Sequence, residues 1–352
     1  MASISVTRGA MAEPLAQKLP LIGNSVRFDR LMGVLAILLV SGLYLDGWAH
    51  GHGKVDKSFF TPWHGVMYSM FFITAIMLWV ALYRNHTRGY AWSQAIPSGY
   101  GLSLIATPLF VAAGAADLVW HTLFGFEVGI EPLLSPSHLA LATTGVLIVT
   151  GPMRATWRRV IAQEQQGWRT LLPLVLSLIS TLMIFTFFTE FAHAFTHLWT
   201  ITELVGNSDK SFGAANILLQ AGVLMGFILL PVRRWRLPLG SMTLLFSLYA
   251  VGLSVLGNQY QLIPGAVLAG MIADGLLWVL QPTTDRAGLR AFAFAVPAIL
   301  YLAVFLTAML TGPVYWSIHL WLGSVVMAGV VGLSLSYLLV PPQEPVEQPA
   351  NR

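Results

Sequence analysis

The stretch Leu31-Met-Gly-Val-Leu-Ala-Ile-Leu-Leu-Val-Ser-Gly-Leu-Tyr-Leu-Asp46-Gly-Trp-Ala-His50, followed after a short loop by Thr61-Pro62-Trp63-His64, decides how this chain is read. No residue from Leu31 to Leu45 is charged, and with its flanks the run is long enough to cross a hydrocarbon core of ~30 Å as a helix. It ends on an acid and a histidine four residues apart, which share one helix face. Thr61-Pro62 is a helix opening: the hydroxyl caps, and the proline takes a first position whose missing N–H costs nothing. A hairpin built this way brings His64 alongside Asp46 and His50.

The pattern returns as Asp117-Leu-Val-Trp-His121 and then Ser135-Pro136-Ser137-His138. A third hairpin carries a relative of it, Glu190-Phe-Ala-His193-Ala-Phe-Thr-His197. In a fourth the ligand types are gone, leaving Asn258-Gln259-Tyr260 and Pro264, and a fifth keeps Gly312-Pro313 and His319. Two explanations stay open: a duplicated hairpin whose later copies drifted, or convergent use of Ser/Thr-Pro to start helices.

The rest of the chain extends the first run's character. Of 352 residues, 56% are hydrophobic and only 10% charged, far from the roughly one-quarter charged residues of a soluble domain. The mean hydropathy is +0.71. Apolar runs recur near 30–50, 62–83, 99–121, 136–153, 170–193, 212–231, 238–256, 261–280, 289–310 and 314–340. The expected fold is therefore all-α, a polytopic membrane bundle of about ten transmembrane helices arranged as five hairpins. Residues 1–28 and 341–352 read as polar or Pro-rich tails around a single bundle at 29–340, with no linker for a second domain. The first span ends in Asp46 and Trp48 without a small-x-small cleavage site, so it reads as a retained helix.

Sixteen of the 19 Lys and Arg residues fall on one side of this arrangement, from Arg27, Arg30, Arg84 and Arg88 to Arg154, Arg158, Arg159, Arg233 and Arg290. Only Lys54, Lys57 and Lys210 fall on the other. The positive-inside rule then makes both tails cytoplasmic and places a multi-pass protein in the inner, cytoplasmic membrane. Nothing suggests nucleic acid as a partner. The expected surroundings are the lipid bilayer, and a homo-oligomer or larger membrane complex remains open. Trp48, Trp63, Trp120, Trp199, Trp316 and Trp321 read as an aromatic belt on the side that holds the histidines.

The chain has no cysteine, which excludes disulfides, zinc–thiolate sites, iron–sulfur clusters and thiolate copper. A metal is then left with His, Asp and Glu, and with Met, whose thioether suits copper(I). Asp46, His50 and His64 form one candidate set, and Asp117, His121 and His138 a second. Each supplies two imidazoles and one carboxylate with open positions, which suits copper, zinc or non-haem iron. On a continuous helix Glu190, His193 and His197, in the Glu-x-x-His spacing of di-metal bundles, offer a third set, ligands that complete a dinuclear site with either of the first two, or a proton relay. Asp274, an acid deep in a later span, reads either as a proton or ion relay or as a buried hydrogen-bonded acid, and His319 is a second candidate relay. His52 and His86 read as capping or packing residues, and Met67 and Met70 as packing below His64. The loop from Thr122 to Leu134 is apolar enough to lie along the membrane surface or to form a lid over the second set, and its Glu127 and Glu131 read as solvated loop residues.

The first motif resembles the copper-ligand stretch in the C subunit of particulate methane and ammonia monooxygenases. The resemblance is confined to the motif, and its second copy is not a feature associated with that subunit. It implies copper ligation by Asp46, His50 and His64 at the periplasmic end of the membrane region, and Asp117, His121 and His138 match the same pattern again. The sequence thus favours a copper-dependent, monooxygenase-like membrane enzyme acting on a small or lipophilic substrate. A zinc hydrolase fits the same ligands. A copper or zinc transporter, or an accessory subunit binding haem or a pigment, are the alternatives.

Overall fold

The computed structural model describes residues 19–54, 61–125 and 129–341, so Lys57, Glu127 and most of both tails lie outside the described residues. The described chain is an all-α bundle without a strand. Its long helices are α1 Val26–Gly51, α2 Pro62–Thr87, α3 Gly101–Phe124, α4 Pro136–Arg158, α5 Trp168–Phe188, α6 Asn207–Arg234, α7 Ser241–Gly257, α8 Leu262–Leu280, α9 Arg286–Thr311 and α10 Ile318–Leu339. Nine of these are long and apolar enough to cross a membrane, and α7, at 17 residues, is the shorter exception. All ten expected spans are present with ends displaced by a few residues.

The outer faces carry bare apolar side chains such as Phe72, Ile76, Ile105, Leu268, Trp278 and Leu310. A soluble protein rarely exposes a surface of this kind, whereas lipid requires it. The interior is built around α5, in which every residue from Pro173 to Ile184 is buried. An all-round apolar helix belongs at the centre of its bundle. There α5 packs against α1 and α4 on one side and α6 and α7 on the other. Hairpins α1–α2 and α3–α4 form one half of the molecule, and α6 to α10 the other.

Close packing in lipid favours small residues where backbones cross. Gly42 of α1 lies against α2 so closely that a Cβ there would sit 2.8 Å from the Met67 Cα. This crossing is one turn below Asp46 and fixes how the first hairpin closes. In α4 the helix is interrupted at Thr150, ahead of Pro152. Proline leaves the carbonyl four residues earlier without its usual donor. The Ser103 hydroxyl reaches that carbonyl, Ile148 O, at 3.1 Å, and Ser177 of α5 donates to the neighbouring Val149 O at 2.6 Å. Side-chain hydroxyls thus replace the lost ladder bond, as a dry interior demands.

Most arginines gather at the end of the bundle opposite the repeated motif. One acid lies among them that the sequence did not single out. Asp29, fully buried near the start of α1, accepts a 2.7 Å hydrogen bond from the Tyr100 hydroxyl and pairs with Arg159. This ties α1, α3 and the end of α4 together.

Of the two readings of Asp274, the structure shows the buried hydrogen-bonded acid, acting as a cap. Its carboxylate accepts the backbone N–H groups of Met242 (3.1 Å) and Thr243 (2.9 Å) and the Thr243 hydroxyl (2.6 Å). These are first-turn donors of α7, which have no partner within their own helix. The charge deep in α8 is therefore explained by the neighbouring short helix. Replacing it by Asp274→Ala strips acceptors from buried N–H groups and should cost about 2–4 kcal/mol. The expected readout is a lower thermal midpoint in detergent with ligand binding at the far end unchanged; a relay would show the reverse.

Candidate metal centre

Asp46 and His50 sit in the last turns of α1, on one face, with His50 Nε2 3.8 Å from Asp46 Oδ2. Thr61 caps α2, its hydroxyl accepting the His64 backbone N–H at 3.1 Å, and Pro62 occupies the first turn. That cap sets where the helix begins and so where His64 points. Its Nε2 lies 3.1 Å from Asp46 Oδ2.

The second hairpin repeats the construction. His121 Nε2 is 3.5 Å from Asp117 Oδ2, and His138 Nε2 is 3.3 Å from Asp117 Oδ1. Ser135 caps α4 and Pro136 opens it. The imidazole centroids are 5.7 Å apart in the first set and 5.6 Å in the second. In each set the ligand-type atoms all lie within 4.8 Å of one another. A tetrahedral ion with bonds near 2.0–2.1 Å separates its ligands by roughly 3.4 Å, so both sets already stand close to coordination spacing.

The two sets open into one cavity. A space of about 450 Å³ is lined by Asp46, His50, His64, Asp117, His121 and His138, and also by Glu190 from the third hairpin. Its walls are apolar, with Leu39, Met67, Phe110, Ile184 and Phe187 beneath the polar groups. Tyr68 stands between the sets: its ring packs edge-on to His64, and its hydroxyl fills the space left by Gly114, one turn below Asp117. Neither residue was flagged by the sequence. The described part of the 122–134 loop does lie over the cavity, with Gly129, Pro132 and Leu133 among its lining, while Glu131 is exposed and begins the short turn Glu131–Leu134.

The third set does not assemble, because Glu190, His193 and His197 do not share a helix. α5 stops at Phe188, Glu190–Ala192 is a single 3-10 turn, and the chain then runs irregularly to Leu198. Where the helix ends, the Gln220 amide of α6 donates to the carbonyls of Thr189 (3.2 Å) and Ala192 (2.9 Å). Carbonyls that would have continued the helix are bonded sideways instead. His193 is fully buried, with Nδ1 accepting the Phe195 N–H at 3.0 Å and Nε2 against the Tyr249 hydroxyl at 2.5 Å. Burial pushes its pKa down to about 3, so it is a neutral, doubly hydrogen-bonded core residue rather than a ligand. His197 Nδ1 meets the Thr196 hydroxyl at 3.1 Å, and its ring packs on Phe212. Burial lowers its pKa too. His319 is exposed in the first turn of α10 and does not line the cavity. His52, bonded to Trp48 O and Asn258, and His86, bonded to Tyr90 O, are structural as read.

Of the third candidate set, Glu190 alone lines the cavity. Burial raises its pKa from 4.5 to about 7, and no described residue donates a hydrogen bond to its carboxylate. The chain matches no protein-family model, no curated protein and no solved structure. The site has therefore to be interpreted from its own geometry.

A carboxyl whose pKa is higher folded than unfolded binds more protons in the folded state between the two values. Stability contributed by Glu190 is thus greatest at low pH, falls as pH rises from 4.5 towards about 7, and is level above that. The variant Glu190→Gln keeps the shape and removes the titration. Thermal midpoints of metal-free protein across this range should fall less steeply in the variant, and identical slopes would show that Glu190 does not titrate there.

Proposed function

We propose that the chain is a membrane metalloenzyme holding two metal ions, one on Asp46, His50 and His64 and one on Asp117, His121 and His138, at a shared cavity that admits a small or lipophilic substrate. The observation that carries this reading is the convergence of both His-His-Asp sets on one cavity with apolar walls. The residues fit a cation. Asp46 is nearly buried, and its Oδ1 has no hydrogen-bond partner among the described residues. A carboxylate at a membrane site is costly unless its charge is offset, and a divalent ion offsets it. Each set leaves coordination positions open, as a reactive metal requires and a structural one does not.

Copper is the metal favoured by the motif's resemblance to the monooxygenase subunit, and its bound form would supply oxidative chemistry at the open positions. Zinc in the same sets would supply hydrolytic chemistry by lowering the pKa of bound water. The protein's own contribution is the same in both cases. Asp46 and Asp117 orient the imidazoles. Leu133, Phe110, Ile184 and Phe187 restrict water and receive apolar substrate, and the cavity volume falls within the range of small-molecule sites. Glu190, with a pKa near neutrality, is placed to hold or release a proton within the cavity. The arginine-rich end faces the cytoplasm and the cavity faces outward, in a cytoplasmic membrane. Transport is the weaker reading, since the floor of the cavity is apolar and Asp274 is committed as a cap.

Elemental analysis of detergent-purified protein tests the proposal. The expectation is about two metal ions per chain, one per set. The double variant His50→Ala with His64→Ala should retain about one, and adding His121→Ala with His138→Ala should remove it. Copper would support an oxidative enzyme and zinc a hydrolytic one. Absence of metal from wild-type protein, even after loading with either ion, would overturn the proposal.

A further inference from the structure

The two sets share their ligands but differ in the groups behind those ligands. In the second set, the Ser137 hydroxyl donates to Asp117 Oδ1 at 2.7 Å, and Ser137 is itself buried. The Ser135 hydroxyl lies 2.9 Å from His138 Nδ1, the ring nitrogen turned away from Asp117. His121 Nδ1 faces the Gly125 carbonyl at 3.4 Å, a long contact that closes the end of α3. Every ligand of this set therefore has something that fixes its orientation. In the first set the position matching Ser137 is Trp63, whose indole N–H goes to Lys54 O instead. Asp46 Oδ1 has no donor among the described residues. The His50 side chain is 44% exposed, and its Nδ1 has no partner among the described residues.

Groups that hold a ligand's far atom fix its rotamer and tautomer before the ion arrives, and losing one typically costs ~10–100-fold in metal affinity. We infer that the second set is the tight, permanently occupied centre and the first the weaker, exchangeable one, with Ser137 as the positioning residue that makes the difference. The inference rests on the metal-binding reading above and adds a division of labour to it. The first centre, with a carboxylate oxygen unrestrained and an exposed imidazole, can change its coordination as a reactant enters. An ion held by the second set would supply a fixed positive charge at the same cavity.

Titration of metal-free protein in detergent with copper(II), in competition with a chelator of known affinity, decides the matter. Wild type should bind in two resolved steps. His138→Ala should lose the tight step, and His64→Ala the weak one. Ser137→Ala should weaken the tight step by ~10–100-fold and leave the weak step in place, with Ser137→Thr restoring it through the same hydroxyl. The copper(II) paramagnetic spectrum of Ser137→Ala in the His64→Ala background should change too, which general destabilisation would not cause in protein that still melts cooperatively. Two steps of equal affinity, loss of the tight step in His64→Ala, or a Ser137→Ala titration like wild type would overturn the inference alone. No binding by wild type would overturn it together with the reading beneath it.

Discussion

A carboxylate at the end of an apolar helix is the constraint on which the rest of this site depends. Asp46 and Asp117 are nearly buried, and a membrane interior tolerates such groups only beside cations or donors. The chain meets this demand twice by the same device. A second helix begins with a hydroxyl cap and a proline, and its third helical residue is a histidine aimed at the acid. Close approach makes the device work: Gly42 lets α1 and α2 cross with their backbones almost in contact, and Gly114 leaves room for Tyr68 between the two sets. Placing a bulky residue at either position would separate groups that now stand within 4 Å of one another.

The two halves of the bundle divide this work from the task of holding it in place. α1 to α4 carry the ligands. α6 to α10 carry none, and their buried polar residues satisfy backbone ends instead: Gln220 takes carbonyls beyond α5, Asp274 takes the N-terminal donors of α7, and Trp316 donates to Thr200 O. Between them α5 packs on both sides, and it delivers Ile184, Phe187 and, just past its end, Glu190 to the cavity. Cooperation between the halves is needed to close the site, although only one of them supplies metal-ligand chemistry.

Much of this was legible in the sequence because hydropathy and i,i+4 spacing are local properties. The ten spans follow from apolar run length, and the Asp-x-x-x-His and Pro-x-His spacings correctly group the residues of each set. Local spacing fails where the backbone leaves the helix. Glu190, His193 and His197 look like one helical face, but the helix ends before them, where Gln220, some thirty residues on, takes the carbonyls of Thr189 and Ala192. Nothing near residue 190 announces that interaction. Asp274 stays open between relay and bonded acid for a related reason: its partners, Met242 and Thr243, are on another helix. The merging of two sets into one cavity was equally hidden, since it depends on how hairpins pack rather than on spacing within either. Ser137 was the one readable clue left unused, a small hydroxyl beside His138 where the first copy has Trp63.

The break after α5 also shows how one departure from regularity serves the site. Had α5 continued through 193, Glu190 and His193 would have shared a face and competed for the same surroundings. The chain leaves the helix at Thr189, where Gln220 takes the carbonyl, and the two side chains part. His193 turns into the core, where Tyr249 and the Phe195 N–H occupy both its nitrogens, while Glu190 remains at the cavity with no donor to lower its pKa. The same break whose stranded carbonyls one amide satisfies therefore keeps a titrating carboxyl available beside six ligand-type groups. Backbone satisfaction in a dry bundle and acid–base chemistry at its mouth meet, at this point in the chain, in one interruption of a helix.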